Sequence, residues 1–121
     1  MKTPIHSQDD SQTSCLTGVV VAICNCPDAD TASRLARGLV EARLAACVNQ
    51  LPPVQSTYRW QGQIESADEH PLLIKTTLAS YPKVQNWLAD QHPYDLPEII
   101  AVPVTAGLPA YLDWVTKEVA T

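Results

Sequence analysis

Val19-Val20-Val21-Ala22-Ile23 is an unbroken apolar run that begins just after Gly18 and stops at Cys24. It is short, rich in β-branched residues and shows no polar alternation, so it reads as a strand covered on both faces. Such a strand constrains everything around it, because the rest of the chain must supply the covering layers. Pro27-Asp28 predicts a turn into a helix with Asp28 and Asp30 at its start and Arg34, Arg37 and Arg43 further on, as the helix dipole prefers. Ala32, Leu35, Ala36, Leu39 and Val40 recur at three- and four-residue spacing and form one apolar stripe. The pattern predicts an end near residues 42–44.

The stretches 45–49 and 54–60 predict one extended arm. Pro52-Pro53 interrupts it and requires a bulge or an edge there, because proline cannot donate to a central ladder. Gln61-Gly62-Gln63 predicts a hairpin turn, residues 66–71 a polar loop directed outward, and residues 72–78 the next strand. Ser80 is the expected N-cap of a second helix, with Pro82 in its first turn and Val84, Trp87, Leu88 and Gln91 on one face. Pro93 stops that helix. Residues 98–104 predict a last strand, and Pro109 opens a last helix with apolar Tyr111, Leu112, Val115 and Val119.

The order β-α-β-β-α-β-α predicts an α+β, ferredoxin-like fold: an antiparallel sheet with helices on one face and a C-terminal helix added. The arm over residues 45–78 is long for such a sheet, and long uncovered edges aggregate unless paired. The expectation is pairing between copies in a closed ring.

A length of 121 residues predicts one domain, over residues 15–121, preceded by a polar leader over residues 1–14 that is expected to be disordered. The net charge of −5, with eight Lys and Arg in no run, argues against nucleic acid and against anionic membrane surfaces. No stretch approaches the length of a membrane-spanning helix. The leader has no apolar segment of the signal-peptide kind, so the expectation is a cytoplasmic protein whose four cysteines are reduced. Cys24-Asn25-Cys26 is a Cys-x-Cys spacing with no second pair, which argues against a structural zinc. The four glycines are isolated, and no Ser or Cys has a recognisable paired base, so no catalytic signature is present.

Several short motifs occur in order: Cys24-x-x-Pro27-Asp28, Leu44-Ala45-Ala46-Cys47-Val48-Asn49, Tyr58-Arg59-Trp60-x-Gly62, Ile74-Lys75-Thr76-Thr77, His92-Pro93-Tyr94-x-x-Pro97-Glu98-Ile99-Ile100 and Tyr111-Leu112-x-Trp114. Together they resemble the CutA divalent-cation-tolerance proteins from about residue 19 to residue 115. The resemblance implies a homotrimer that shares its assembly plan with P-II-like signalling proteins. It also implies binding of copper or another soft or divalent metal, with Cys24 and His92 as ligands by position. The family's second histidine falls at Gln91, a departure from the pattern.

Each candidate has two readings. Cys24 is either a soft-metal ligand at a strand end or a buried thiol acting as a small hydrophobe. Cys26 and Cys47 read as core. His92 is either a ligand and proton carrier or a histidine held by a helix end. Lys75, in an apolar strand, calls for an anionic partner, for which Glu98 is the candidate. Arg59, Trp60, Lys75, Tyr94 and Glu98 then form either a structural ion-pair cluster or an intersubunit cleft for a small anion. The functional expectation is a trimeric metal-binding protein. Its alternatives are a P-II-like sensor of a small anion or nucleotide, and a trimeric scaffold for a protein partner.

Overall fold

The computed structural model describes residues 15–120. The predicted leader lies outside them. The elements are β1 (Val19–Cys26), α1 (Ala29–Glu41), β2 (Cys47–Gln50), β3 (Val54–Trp60), β4 (Gln63–Thr77), α2 (Tyr81–Gln91), β5 (Ile99–Pro103) and α3 (Pro109–Glu118). The sheet runs β2-β4-β1-β5 with every pairing antiparallel, and β3 pairs with the outer half of β4. This is the order expected of the ferredoxin-like arrangement.

Alternation along β1 sorts its side chains into two layers. Ala22, Cys24 and Cys26, with Leu72 and Ile74 of β4, are buried against Ala32, Leu35 and Leu39 of α1 and Val84 and Leu88 of α2. Val19, out of phase with that set, joins Val115 and Val119 of α3 in a second cluster. The third helix therefore packs apart from the other two, and the sheet is not covered on one face alone. Beyond α3, Ile100 and Val102 of β5 remain exposed at 51% and 45%. Among the described residues no helix is long and apolar enough to cross a membrane.

Two local expectations need correction, and the predicted end of the first helix is met. Residues 66–71 do not loop outward: β4 is a single strand of 15 residues, and β3 pairs with it residue by residue from Trp60↔Gln63 to Val54↔Glu69. Polar side chains are tolerated there because both faces of this ribbon meet solvent. The turn is the reason the register is fixed: Gln61 (φ 51) and Gly62 (φ 81) both take the left-handed conformation of a type I′ hairpin. Ser80 makes no capping bond with its side chain; its Oγ bonds the Ala120 carbonyl instead. The first helix ends at Glu41, and Arg43 (φ 58) closes it in a Schellman motif, with Leu44 N–H bonded to Leu39 O at 2.9 Å.

Candidate metal centre and adjoining cavity

The end of β1 presents neighbouring side chains to opposite faces. Cys24 and Cys26, two residues apart, both face the helical layer, whereas Asn25 between them faces away. Pro27 ends the strand, and the Asp28 carboxylate accepts the Thr31 N–H at 2.7 Å, capping α1 beside the two thiols. The helix α2 stops at Gln91, and His92 takes an extended conformation (φ −79, ψ 139) before Pro93. Its ring then lies against the end of β1. The ligand atoms of Cys24, Cys26 and His92 all fall within 4.8 Å of one another, and all three residues are buried.

The hydrogen bonds of His92 settle its tautomer. Nε2 lies 2.8 Å from the Asn25 carbonyl oxygen, and Nδ1 lies 3.1 Å from the Tyr94 backbone N–H. A carbonyl only accepts and a backbone N–H only donates, so the ring is neutral with its proton on Nε2. The two thiols also act on one another. The hydrogen bond between them pushes the Cys24 thiol well above its ordinary range, helped by burial, and the same bond draws Cys26 below it. The pair thus offers one thiolate-prone sulfur next to a protonated one. All four cysteines are free thiols.

Asn25 reaches two residues of a cavity of about 610 Å³ whose lining includes Tyr58, Trp60, Glu69, Tyr94, Asp95 and Glu98. The Asn25 amide donates to Glu98 at 3.1 Å and to Glu69 at 3.4 Å, and the Tyr94 hydroxyl bonds Glu69 at 3.4 Å. The Tyr94 ring also packs on His92, with centroids 4.8 Å apart. Asn25 and Tyr94 therefore link the cavity to the sulfur cluster, Asn25 through hydrogen bonds to both and Tyr94 by lining the one and touching His92 of the other.

Of the cleft residues expected from sequence, Trp60, Tyr94 and Glu98 meet in this cavity, while Lys75 and Arg59 do not line it. Lys75 bonds the Asn49 side chain, not Glu98. The register explains this: Lys75 lies opposite Cys47 and Val21 in mid-sheet, whereas Glu98 precedes a strand whose Ile99 pairs with Cys24 at the far end of β1. The lining includes Glu69, Asp95 and Glu98 and no Lys, Arg or His, so the cavity gives no support to an anion or nucleotide. Cys24 and His92 do come together.

Cys26, read from the sequence as core, completes their cluster. The signal was present in the spacing, since residues i and i+2 of a strand share a face. Glu69 was missed because it was assigned to a loop.

Residues 20–118 match the family model described as CutA1 divalent ion tolerance protein. The chain is 44% identical over 97 residues to the divalent-cation tolerance protein CutA of Thermus thermophilus, across 80% of this chain and 94% of that one. CutA from Xylella fastidiosa has a similar structure, with a TM-score of 0.83 at 48% identity, covering 85% of this chain and 99% of its own. The periplasmic divalent cation tolerance protein CutA from Archaeoglobus fulgidus has a TM-score of 0.82 at 34% identity, covering 84% of this chain and 99% of its own.

Proposed function

The chain belongs to the CutA1 divalent ion tolerance protein family, and from that premise we propose that it is a cytoplasmic homotrimer that binds a soft metal ion, copper first, at Cys24, Cys26 and His92. In this reading it serves the response to metal ions as a binding protein rather than as an enzyme. The observation that supports it most directly is the convergence of three buried ligand atoms within 4.8 Å. Two thiols and an imidazole are the donors that soft metals take, and thiolates select Cu(I) over hard divalent ions.

The donor set fits with one adjustment. Cys26 already leans toward the thiolate, and loading the pair displaces the thiol protons that remain. The Nδ1 lone pair of His92 is engaged by the Tyr94 N–H, so ligation by this nitrogen releases that bond. Titrating the reduced protein with Cu(I) against a competing chelator tests the site. Cys24→Ser, Cys26→Ser and His92→Ala should each lower affinity, the two serines more than the alanine. Uptake by all three variants equal to the parent's overturns the assignment.

The trimer rests on a different observation. The seven residues of β3 pair only with β4, in a two-stranded ribbon of mostly exposed side chains, and a lone two-stranded hairpin is only marginally stable in water. Ile100, Val102 and Trp114 add exposed apolar surface at 51%, 45% and 42%. The solution mass at low concentration decides the point: three chains are expected, and a stable soluble single chain overturns it. Fractionation of cells expressing the full chain tests the compartment, and recovery outside the cytoplasm overturns that part.

A further inference from the structure

The cavity beneath the β3–β4 ribbon combines features that the sulfur cluster does not need. Glu69 and Glu98 are held toward one another by a single neutral amide, that of Asn25, whose own side chain is 9% exposed. Among the described residues the ion pair formed is Arg37–Glu41, on the surface of α1, so neither cavity carboxylate is neutralised by a Lys or Arg. Two like charges gathered without a counter-ion repel, and a cation entering between them relieves that repulsion. The rest of the wall is aromatic: Tyr58 and Trp60 are each 43% exposed, and Tyr94 is half-buried. Ring faces attract cations through their quadrupole, and the attraction strengthens as the cation sheds water.

The geometry distinguishes between kinds of cation. A hard metal ion requires several oxygen ligands within a few ångströms of one point. The one set of three or more Cys, His, Asp and Glu ligand atoms that converges within 4.8 Å among the described residues is Cys24, Cys26 and His92. Glu69, Asp95 and Glu98 therefore do not converge as a set of three ligands. Its volume of about 610 Å³ also far exceeds a bare ion and lies in the range of small-molecule sites. A carboxylate pair with aromatic walls suits a larger, softer cation whose charge is spread over carbon-bearing groups.

We propose that this cavity binds a small organic cation of the alkylammonium class, its charge set between Glu69 and Glu98 and its alkyl groups against Tyr58, Trp60 and Tyr94. The groups assigned to the cation are not the cluster's three ligands, and the test uses metal-free protein, so the result does not depend on the copper reading.

Choline and its uncharged carbon isostere, 3,3-dimethylbutan-1-ol, are titrated by calorimetry into the full chain in its native assembly, with sulfate as an anionic control. Choline is expected to bind saturably, more weakly as salt is raised, while the isostere and sulfate do not bind. Glu98→Gln should lower choline affinity and flatten its salt dependence. Trp60→Leu should weaken binding by about two- to thirtyfold, the span of measured cation–π strengths. Each variant is first checked for unchanged mass and melting. If Trp60→Leu disturbs the assembly, Glu98→Gln carries the test, because its side chain is exposed and keeps its shape. Binding of the isostere as strong as that of choline, or binding of sulfate in its place, overturns the proposal. So does an absence of choline binding, including the case in which a basic side chain of a neighbouring copy already fills the cavity.

Discussion

The Nε2 atom of His92 lies 2.8 Å from the carbonyl oxygen of Asn25, so the residue that ends α2 is tied to the residue between the two cysteines. Both ring nitrogens work within the protein, and His92 is 7% exposed. His92→Ala should then destabilise the metal-free protein, leaving the Asn25 carbonyl and the Tyr94 N–H without their partner. The expected loss is about 1–3 kcal/mol, the usual consequence of stranding buried polar groups. Denaturant unfolding in the presence of chelator measures it. An unchanged midpoint would mean that water replaces the ring, and that the histidine is held for ligation alone.

The sulfur pair gives the protein a dependence on pH whose sign changes. In the unfolded chain both thiols titrate near 9.0; in the folded one Cys26 is lowered and Cys24 raised, each chiefly through the bond they share. Below 9, once Cys26 has ionised, the folded pair holds one proton and the unfolded chain two, so stability rises with pH. Above 9 the folded pair still holds one and the unfolded chain none, so stability falls. With Cys15 and Cys47 replaced by serine, thiolate absorbance should show one equivalent appearing below pH 9 and the second above it. Two equivalents appearing together near 9 would show that the two thiols do not act on one another.

The sequence carried the sheet order more fully than it carried the sites, for physical reasons. Strands β1 and β5 and all three helices announce themselves by apolar run or period, because burial dictates residue type there. The outer half of β4 does not, since residues such as Glu65, Ser66 and Asp68 are exposed and their strand is imposed by pairing with β3. That single misassignment hid Glu69 and with it the character of the cavity. Lys75 drew an expected partner from charge alone, but sheet register places Asn49 beside it instead. The Cys24/Cys26 pair was visible in its spacing, yet its link to His92 depends on how α2 returns across the strand ends, which no local pattern encodes.

Helices α1 and α2 approach each other closely at Gly38, where an added Cβ would lie 2.7 Å from both Cη2 and Cζ2 of Trp87. Alanine in place of glycine within a helix ordinarily gains about 1 kcal/mol. Here the indole tip must move within a packed layer, and overpacking typically costs about 1–3 kcal/mol. Gly38→Ala is therefore expected to lower the melting temperature despite its better helix propensity. Combining it with Trp87→Leu should yield less destabilisation than the two changes added, because the smaller side chain leaves room for the methyl group. A simple sum in the double variant, or a rise in the single one, contradicts the close approach.

Leu108 occupies the N-cap of α3 in an extended conformation (φ −63, ψ 122), with no side-chain bond to the helix and with Pro109 behind it. Its carbonyl accepts the N–H groups of Tyr111 and Leu112, each at 3.0 Å. The leucine side chain is 71% exposed, so little apolar contact within the chain is lost by replacing it. Asp at this position would offer a carboxylate to the first-turn amides and a negative charge to the positive end of the helix dipole. Leu108→Asp should stabilise by about 0.5–2 kcal/mol, which for a domain of this size raises Tm by several degrees. Leu108→Ala separates the two contributions, since it removes the side chain without supplying a cap. If both variants melt earlier than the parent, Leu108 is buried by a neighbouring copy, and the third helix belongs to the interface.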